Sequence, residues 1–222
     1  MQGAFKGALL FFVTLFLCVL FVGKNETSYS IPPENKIIPK KQVYNPSNHY
    51  YNVQIISLEG ASCSATIISN SLAITAEHCV VTKDGKFTSF KVFNKNRKFI
   101  TYAEVYAPFT DLDIALIVGN FEKIEKAKYY PKNFNFFNDR HHFVTCGFAA
   151  GLEYVCTPFI PIANEIFMYK GQGFLRPGMS GGGVFDLETG EIVGVNSAAG
   201  VGYVIISPIF GISLKYDFTF PE

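Results

Sequence analysis

Tryptophan is absent from the 222 residues, and histidine and methionine are scarce, with four and three copies. Acidic and basic residues nearly cancel to a formal net charge of +1, with neither a basic stretch nor an acidic tail, which argues against a nucleic-acid partner. The cysteines form no Cys-x-x-Cys pair, and the histidines complete no ligand pattern with them, which disfavours a metal site. The sequence also indicates no cofactor.

What is present suffices for one globular domain. Hydrophobic residues make up 49% of the chain, enough to build a core. Without the N-terminal segment about 180 residues remain, the size of a single domain. We assign this domain to residues 47–222.

The N-terminal segment contains an apolar run from Ala8 to Val22 without charged residues, with Lys6 before it and Lys24 after it. As a helix this run would cover about 22 Å, less than the ~30 Å hydrocarbon core of a bilayer. That length slightly favours a secretory signal peptide. An anchor formed by residues 5–23 stays open, because no cleavage site is obvious. Either form of residues 1–23 predicts that the domain leaves the cytosol, as a secreted or a membrane-anchored protein.

Residues 24–46 are predicted to be a linker, because four prolines interrupt any regular element there. Asn25 begins an Asn-Glu-Thr sequon, which is a glycosylation site if the host modifies such sites. Cys18 lies in the apolar run before the linker, so the domain keeps an even number of cysteines. An even number outside the cytosol predicts disulfides.

Beyond the linker the chain is a series of short runs rich in β-branched and aromatic residues, separated by turn residues. This pattern without long helices predicts an all-β fold of the barrel type. Cys146 and Cys156 flank a glycine-containing turn, so they could face each other across a hairpin. The predicted strands are Tyr51–Leu58, Ala65–Ile68, Leu72–Thr75, Phe90–Phe93, Phe99–Tyr106, Ile114–Ile117, His142–Phe148, Tyr154–Phe159, Ile166–Lys170, Val184–Leu187, Glu191–Asn196 and Tyr203–Ile206.

Three motifs carry residues that suit nucleophilic catalysis. Ser180 lies in Gly-Met-Ser-Gly-Gly-Gly, where glycines allow a tight turn that exposes the hydroxyl. His78 lies in Thr-Ala-Glu-His-Cys, and Asp113 stands directly before an apolar run, with Asp111 as the second choice. A serine hydroxyl needs an imidazole base, and that base needs a carboxylate to fix its tautomer.

These motifs resemble the histidine, aspartate and serine boxes of the trypsin/chymotrypsin-like serine proteases, in the chain order of that family. The resemblance covers roughly residues 45–208. It implies an all-β fold of two antiparallel six-stranded barrels, about residues 47–125 and 140–215, with the active site in the cleft between them.

The resemblance also implies roles for individual residues. His78, Asp113 and Ser180 would form the catalytic triad, and the backbone N–H groups of Gly178 and Ser180 the oxyanion hole. A disulfide would join Cys63 to Cys79. The strand Ser197-Ala198-Ala199 would pair with the substrate backbone, and Phe174 would lie at the base of an apolar or neutral pocket. Arg176 nearby leaves a preference for acidic side chains open.

Three features depart from the family pattern. Met179 replaces the aspartate that pairs with a new N-terminus after activation, so the chain is nearest to members that lack this aspartate. Glu77 replaces a small residue and is either a solvated turn residue or a perturbation of the His78 pKa. The segment Leu214–Glu222 does not predict the C-terminal helix usual in the family.

The sequence therefore predicts a secreted or membrane-tethered serine endopeptidase that acts on protein or peptide substrates. A catalytically inactive protease fold that serves as a binding module is the alternative. An esterase is a weaker third option, since the order of the triad argues against the usual esterase fold.

Overall fold

The computed structural model describes residues 44–82, 84–129, 135–137, 141–165 and 168–216, and for residues 164, 165 and 214–216 it describes the backbone alone. The described residues fall within one compact unit. The predicted signal or anchor, Asn25 and most of the linker lie outside the described residues. Within the described part, no helix is long and apolar enough to cross a membrane.

The first six strands close into an antiparallel barrel in the order β1-β2-β3-β6-β5-β4. Closure pairs β1 with both β2 and β4, so this sheet has no open edge. The strands are β1 (Asn52–Ser57), β2 (Ser62–Ile67), β3 (Leu72–Thr75), β4 (Phe90–Phe93), β5 (Phe99–Phe109) and β6 (Ile114–Gly119).

The remaining strands close into a second antiparallel barrel in the order β10-β11-β12-β9-β8-β7. The two six-stranded barrels confirm the predicted fold class. The strands are β7 (Phe143–Ala149), β8 (Glu153–Glu165), β9 (Met168–Gln172), β10 (Gly183–Asp186), β11 (Ile192–Gly200) and β12 (Tyr203–Pro208).

Several strands are longer than predicted, and β5 and β8 are two of them. Strand β5 continues past Tyr106 to Phe109, with a register shift between Val105 and Ala107. Strand β8 continues past Phe159, although Pro161 cannot donate a ladder hydrogen bond. The register against β9 shifts just after this proline, so a bulge absorbs it where the prediction ended the strand.

The chain ends differently from the prediction. A helix, α1 (Phe210–Tyr216), follows β12 and includes the first three residues of the segment predicted to be non-helical. Ile209, just before the helix, and Ile212, in its first turn, are both fully buried. Packing of these side chains stabilises a helix that is too short to be stable by its own propensity.

Phenylalanine fills the interior that lacks tryptophan. Seven of the largest fully buried side chains are aromatic, and six of them are phenylalanines. In the second barrel the ring of Phe136 lies 4.2 Å from that of Tyr169 and 5.1 Å from that of Phe143, measured between centroids. The abundance of phenylalanine therefore serves the core.

Two disulfides fasten elements that carry the candidate site. Cys63 in β2 is joined to Cys79, with a Cα–Cα distance of 6.2 Å. Cys146 and Cys156 are directly paired residues of the β7–β8 hairpin and are joined across it. The first disulfide ties the segment after β3 to the barrel wall, and the second closes the hairpin whose turn faces the Ser180 loop.

Candidate active site

His78 lies in a short 3-10 helix, Glu77–Cys79, one residue after β3. The Cys63–Cys79 disulfide holds this helix at its last residue. The side chain of His78 is 46% exposed, so its ring is accessible to solvent and to a bound substrate.

Asp113 ends a second 3-10 helix, Thr110–Leu112, immediately before β6. Its φ of 48° is in the left-handed region, which aspartate tolerates better than most residues. Its carboxylate accepts hydrogen bonds from the His78 backbone N–H at 3.0 Å, from His78 Nδ1–H at 2.9 Å and from the Ser197 hydroxyl. Because an ionised carboxylate only accepts, the proton is on Nδ1 and Nε2 is left as the basic nitrogen.

The pKa values of this pair move apart. Hydrogen bonding to Asp113 raises the pKa of His78, desolvation opposes the rise, and the charges of Asp113 and Glu77 add to it. Burial acts to raise the pKa of Asp113, but the hydrogen bonds from His78 and Ser197 and the charge of His78 outweigh it and hold that pKa below its ordinary value. A carboxylate that stays ionised is suited to stabilise an imidazolium.

Ser180 lies in the loop that leads into β10 and is partly buried. Its carbonyl accepts from the N–H of Ser64 at 2.8 Å. Gly181 packs so tightly that an added Cβ would lie 2.1 Å from Oγ1 of Thr75, at the end of the strand before His78. The loop therefore lies against the segment that carries His78. Among the described residues, the Ser180 hydroxyl makes no hydrogen bond, so it is not bonded to His78 in this structure. A hydrogen bond between a catalytic nucleophile and its base often forms fully only when substrate binds.

The backbone around Ser180 leaves two N–H groups free. Within the described chain, those of Gly178 and Ser180 have no acceptor, whereas that of Met179 between them donates to a carbonyl three residues earlier. The carbonyl of Pro177 accepts from the N–H of Ala150 at 2.6 Å. In a planar trans peptide the N–H points opposite to the carbonyl, so the N–H of Gly178 points away from Ala150. The free donors are thus the N–H group of the serine itself and that of the residue two positions before it, the two groups predicted to form an oxyanion hole.

The predicted substrate-binding residues differ in their surroundings. Ala198 and Ala199 are exposed on β11, and Phe174 is 55% exposed. Ser197 is buried, and its hydroxyl is the donor to Asp113. From the sequence, Ser197 was predicted only as part of the substrate-binding strand, and this hydrogen bond was not predicted.

Met179 and Glu77, the two residues near the triad that depart from the family pattern, have defined contacts in the structure. Met179 is fully buried, and its sulfur accepts from the N–H of Arg176 at 3.3 Å. Glu77 is partly exposed, and its carboxylate accepts from the Thr110 hydroxyl at 3.3 Å. Glu77 is therefore a partly solvated turn residue, and its charge is the smallest of the causes that act on the pKa of His78.

Other histidines also pair with carboxylates. Nδ1 of His141 lies 2.8 Å from the buried carboxylate of Asp186, and Nδ1 of His49 lies 2.5 Å from that of Glu125. In the part of the chain that the structure describes, no group of three or more histidine, cysteine or acidic side chains could hold a metal ion.

Comparison with known proteins agrees with this geometry. The family described as Trypsin matches residues 38–128, which include the first barrel with His78 and Asp113. Over both barrels the chain has the fold of the trypsin-like serine proteases, which confirms the predicted resemblance to that family; Ser180 lies outside the matched residues. No curated protein sequence matches the chain.

Solved structures similar to this chain include proteases. The active form of the Rv3671c protease from M. tuberculosis has a TM-score of 0.60 and 17% identity, over 87% of this chain and 96% of that chain. The inactive form of Rv3671c protease has a TM-score of 0.60 and 16% identity, over 81% of this chain and 98% of that chain. The serine endoprotease from Yersinia pestis has a TM-score of 0.63 and 17% identity, over 75% of this chain and 61% of that chain. At identities this low, the structural similarity shows a shared fold alone.

Proposed function

We propose that this protein is a serine endopeptidase that cleaves peptide bonds through His78, Asp113 and Ser180. The observation that carries the proposal is the carboxylate of Asp113, which holds His78 by two hydrogen bonds, together with the free N–H groups of Gly178 and Ser180. The nucleophile, the base, the group that orients the base and the oxyanion donors all come from segments packed together at the barrel contact.

In the proposed mechanism, Ser180 Oγ attacks the scissile carbonyl carbon and its proton passes to Nε2 of His78. The carbonyl oxygen becomes an oxyanion that accepts from the N–H groups of Gly178 and Ser180. His78 then gives its proton to the leaving amine, and the C–N bond breaks to leave an acyl-enzyme on Ser180. A water molecule then attacks the acyl carbon and gives a proton to His78. The ester C–O bond breaks to release the carboxylic acid product, and His78 passes its proton back to Ser180 Oγ. Asp113 stays ionised throughout and stabilises the charged ring.

Strand β11 offers an edge for the substrate backbone. Its pairing with β10 starts at Val195 opposite Gly183, so residues 197–200 have no strand on that side among the described residues. An extended peptide can add to such an edge through main-chain hydrogen bonds. The pocket beside this edge is proposed to use Phe174 and to accept an apolar or neutral side chain.

The two disulfides support a location outside the cytosol, because such bonds persist in oxidising compartments. We propose that residues 1–23 direct secretion or anchor the domain to a membrane. The mass of the mature N-terminus distinguishes these two forms.

Peptide cleavage tests the proposed function. The purified protein should cleave a mixed peptide library, whereas Ser180→Ala should cleave nothing while keeping the same thermal transition. Ser207→Ala is the matched control, because Ser207 is fully buried and its hydroxyl has no partner among the described residues. A folded wild-type protein that cleaves no peptide would favour the inactive binding module, and an unchanged Ser180→Ala variant would refute the triad.

A further inference from the structure

We propose that the hydroxyl of Ser64 is a positioning group that holds the oxyanion hole in its active shape before substrate arrives. This inference rests on the proposed endopeptidase function, since it assigns a further residue to the same site. Ser64 is in the first barrel, directly after Cys63, whereas the loop it would hold belongs to the second barrel.

The contacts of Ser64 cross between the barrels. Its side chain donates to the carbonyl of Gly178 at 2.8 Å and accepts from the N–H of Phe148 at 2.8 Å. Its backbone N–H donates to the carbonyl of Ser180 at 2.8 Å, and its own carbonyl accepts from the Thr75 hydroxyl at 2.7 Å. Ser64 is 1% exposed, so water does not replace these partners freely. One residue thus holds both ends of the segment that carries the two free N–H groups.

These contacts fix the peptide groups on both sides of Gly178. The carbonyl of Pro177 is held by the N–H of Ala150, which sets the direction of the Gly178 N–H. The next carbonyl, that of Gly178, is held by the Ser64 hydroxyl. Gly178 has a φ of 92°, and glycine rotates between several backbone regions at little cost unless its neighbours are held. The Ser64 hydroxyl therefore restricts a loop that would otherwise have alternatives.

Removing the hydroxyl affects the site specifically. In Ser64→Ala the carbonyl of Gly178 and the N–H of Phe148 lose their shared partner, so rotated forms of the loop become more populated. In those forms the two N–H groups no longer point at one oxygen. The Ser180 hydroxyl and the His78–Asp113 pair are untouched, and ground-state binding of peptide along β11 is unchanged.

The test compares Ser64→Ala and Ser64→Gly with wild-type protein in peptide hydrolysis. Loss of a whole oxyanion donor typically costs 10²–10³ in kcat, so loss of its support should lower kcat about 10- to 100-fold with KM changed by less than about twofold. A peptide aldehyde, whose adduct with Ser180 places an oxyanion in the hole, should bind weaker by the same factor as kcat/KM falls. The control is Thr66→Val on the same strand, which removes a buried hydroxyl that donates to Asn52 at 3.1 Å. This control should leave kcat and aldehyde binding unchanged.

Equal activity and equal aldehyde affinity in the Ser64 variants would overturn the inference, and so would a loss shared by Thr66→Val. A rise in KM alone would assign Ser64 to substrate binding instead. If neither Ser64 variant folds, amide hydrogen exchange of the wild-type protein decides. The amides of Phe148 and Met179 should then exchange slowly without inhibitor, and rapid exchange at both would contradict a pre-formed loop. Absence of any wild-type activity would refute the proposed function and is distinguishable from these outcomes.

Discussion

Replacing Asp113 by asparagine should disable the site while preserving its shape. The carboxylate now accepts from three donors, namely His78 N–H, His78 Nδ1–H and the Ser197 hydroxyl. Asparagine has one acceptor oxygen, and its amide nitrogen only donates. If the oxygen keeps the backbone N–H, the amide nitrogen faces Nδ1 and requires it to be unprotonated. The ring then carries its proton on Nε2 and cannot take the proton of Ser180.

The expected fall in kcat follows from this change of the His78 tautomer. The equivalent substitution in a serine protease triad lowers kcat by about 10⁴-fold, which corresponds to roughly 5.4 kcal/mol of barrier. Loss of charge-assisted hydrogen bonds at the largely buried Asp113 side chain should also lower the free energy of unfolding by about 1–3 kcal/mol.

The same variant should change the pH dependence. The pKa of His78 is raised in the folded protein, chiefly by the hydrogen bond to Asp113, and activity needs the neutral ring. Wild-type activity should therefore rise with pH through a midpoint above the ordinary histidine value of about 6.5. The protonated ring stabilises the folded protein at pH values below the ordinary histidine pKa. This stabilisation is lost as the pH rises through the raised pKa of His78 in the folded protein. In Asp113→Asn the main cause of the rise is gone, so the residual activity should have a lower midpoint.

Hydrolysis rates of one peptide substrate between about pH 5 and 9 measure both effects. Asp111→Asn is the matched control, because Asp111 is exposed two residues away and should leave rate and midpoint unchanged. If Asp111→Asn were the crippling change and Asp113→Asn were mild, the assignment of the third triad member would be wrong.

Further predictions concern the loop and the disulfides. Gly181→Ala should lower kcat/KM and destabilise the protein by about 2–4 kcal/mol in thermal unfolding, because its φ is 80° and the new Cβ would overlap Oγ1 of Thr75. Wild-type stability in this variant would contradict the close packing. Met179 is fully buried and needs no ionic partner, so proteins whose first residue lies at several points between residues 24 and 45 should cleave peptide at similar rates. Activity that appears only with one particular first residue would indicate a zymogen switch. Peptide mapping without reductant should recover both disulfides, and free thiols in secreted protein would argue against the oxidising compartment.

Much of the fold was accessible from the sequence because the strands are short, apolar and separated by turn residues. Each predicted strand overlaps one of the twelve strands of the barrels. Local patterns do not report bulges, so the continuation of β8 past Pro161 was missed. They also do not report tertiary burial, which stabilises α1 at Ile209 and Ile212.

The candidate site was predictable where chemistry dictates the residue type, as for His78 and Asp113, which the structure brings into contact. Residues that only hold other groups in place are harder to recognise in the sequence. Ser197 and Ser64 are ordinary small residues on strands, and only the packing of the two barrels directs their hydroxyls to Asp113 and to the Gly178 carbonyl.

Labelling with a fluorophosphonate, followed by peptide mapping, tests the central claim most directly. The reagent phosphonylates only a serine that is activated by a base and whose adduct oxygen is held by donors. The proposed mechanism predicts one label, on Ser180, that is lost in Ser180→Ala and in denatured protein and is strongly slowed in Asp113→Asn. Folded wild-type protein that takes up no label, or takes it up at another serine, would contradict the proposed mechanism.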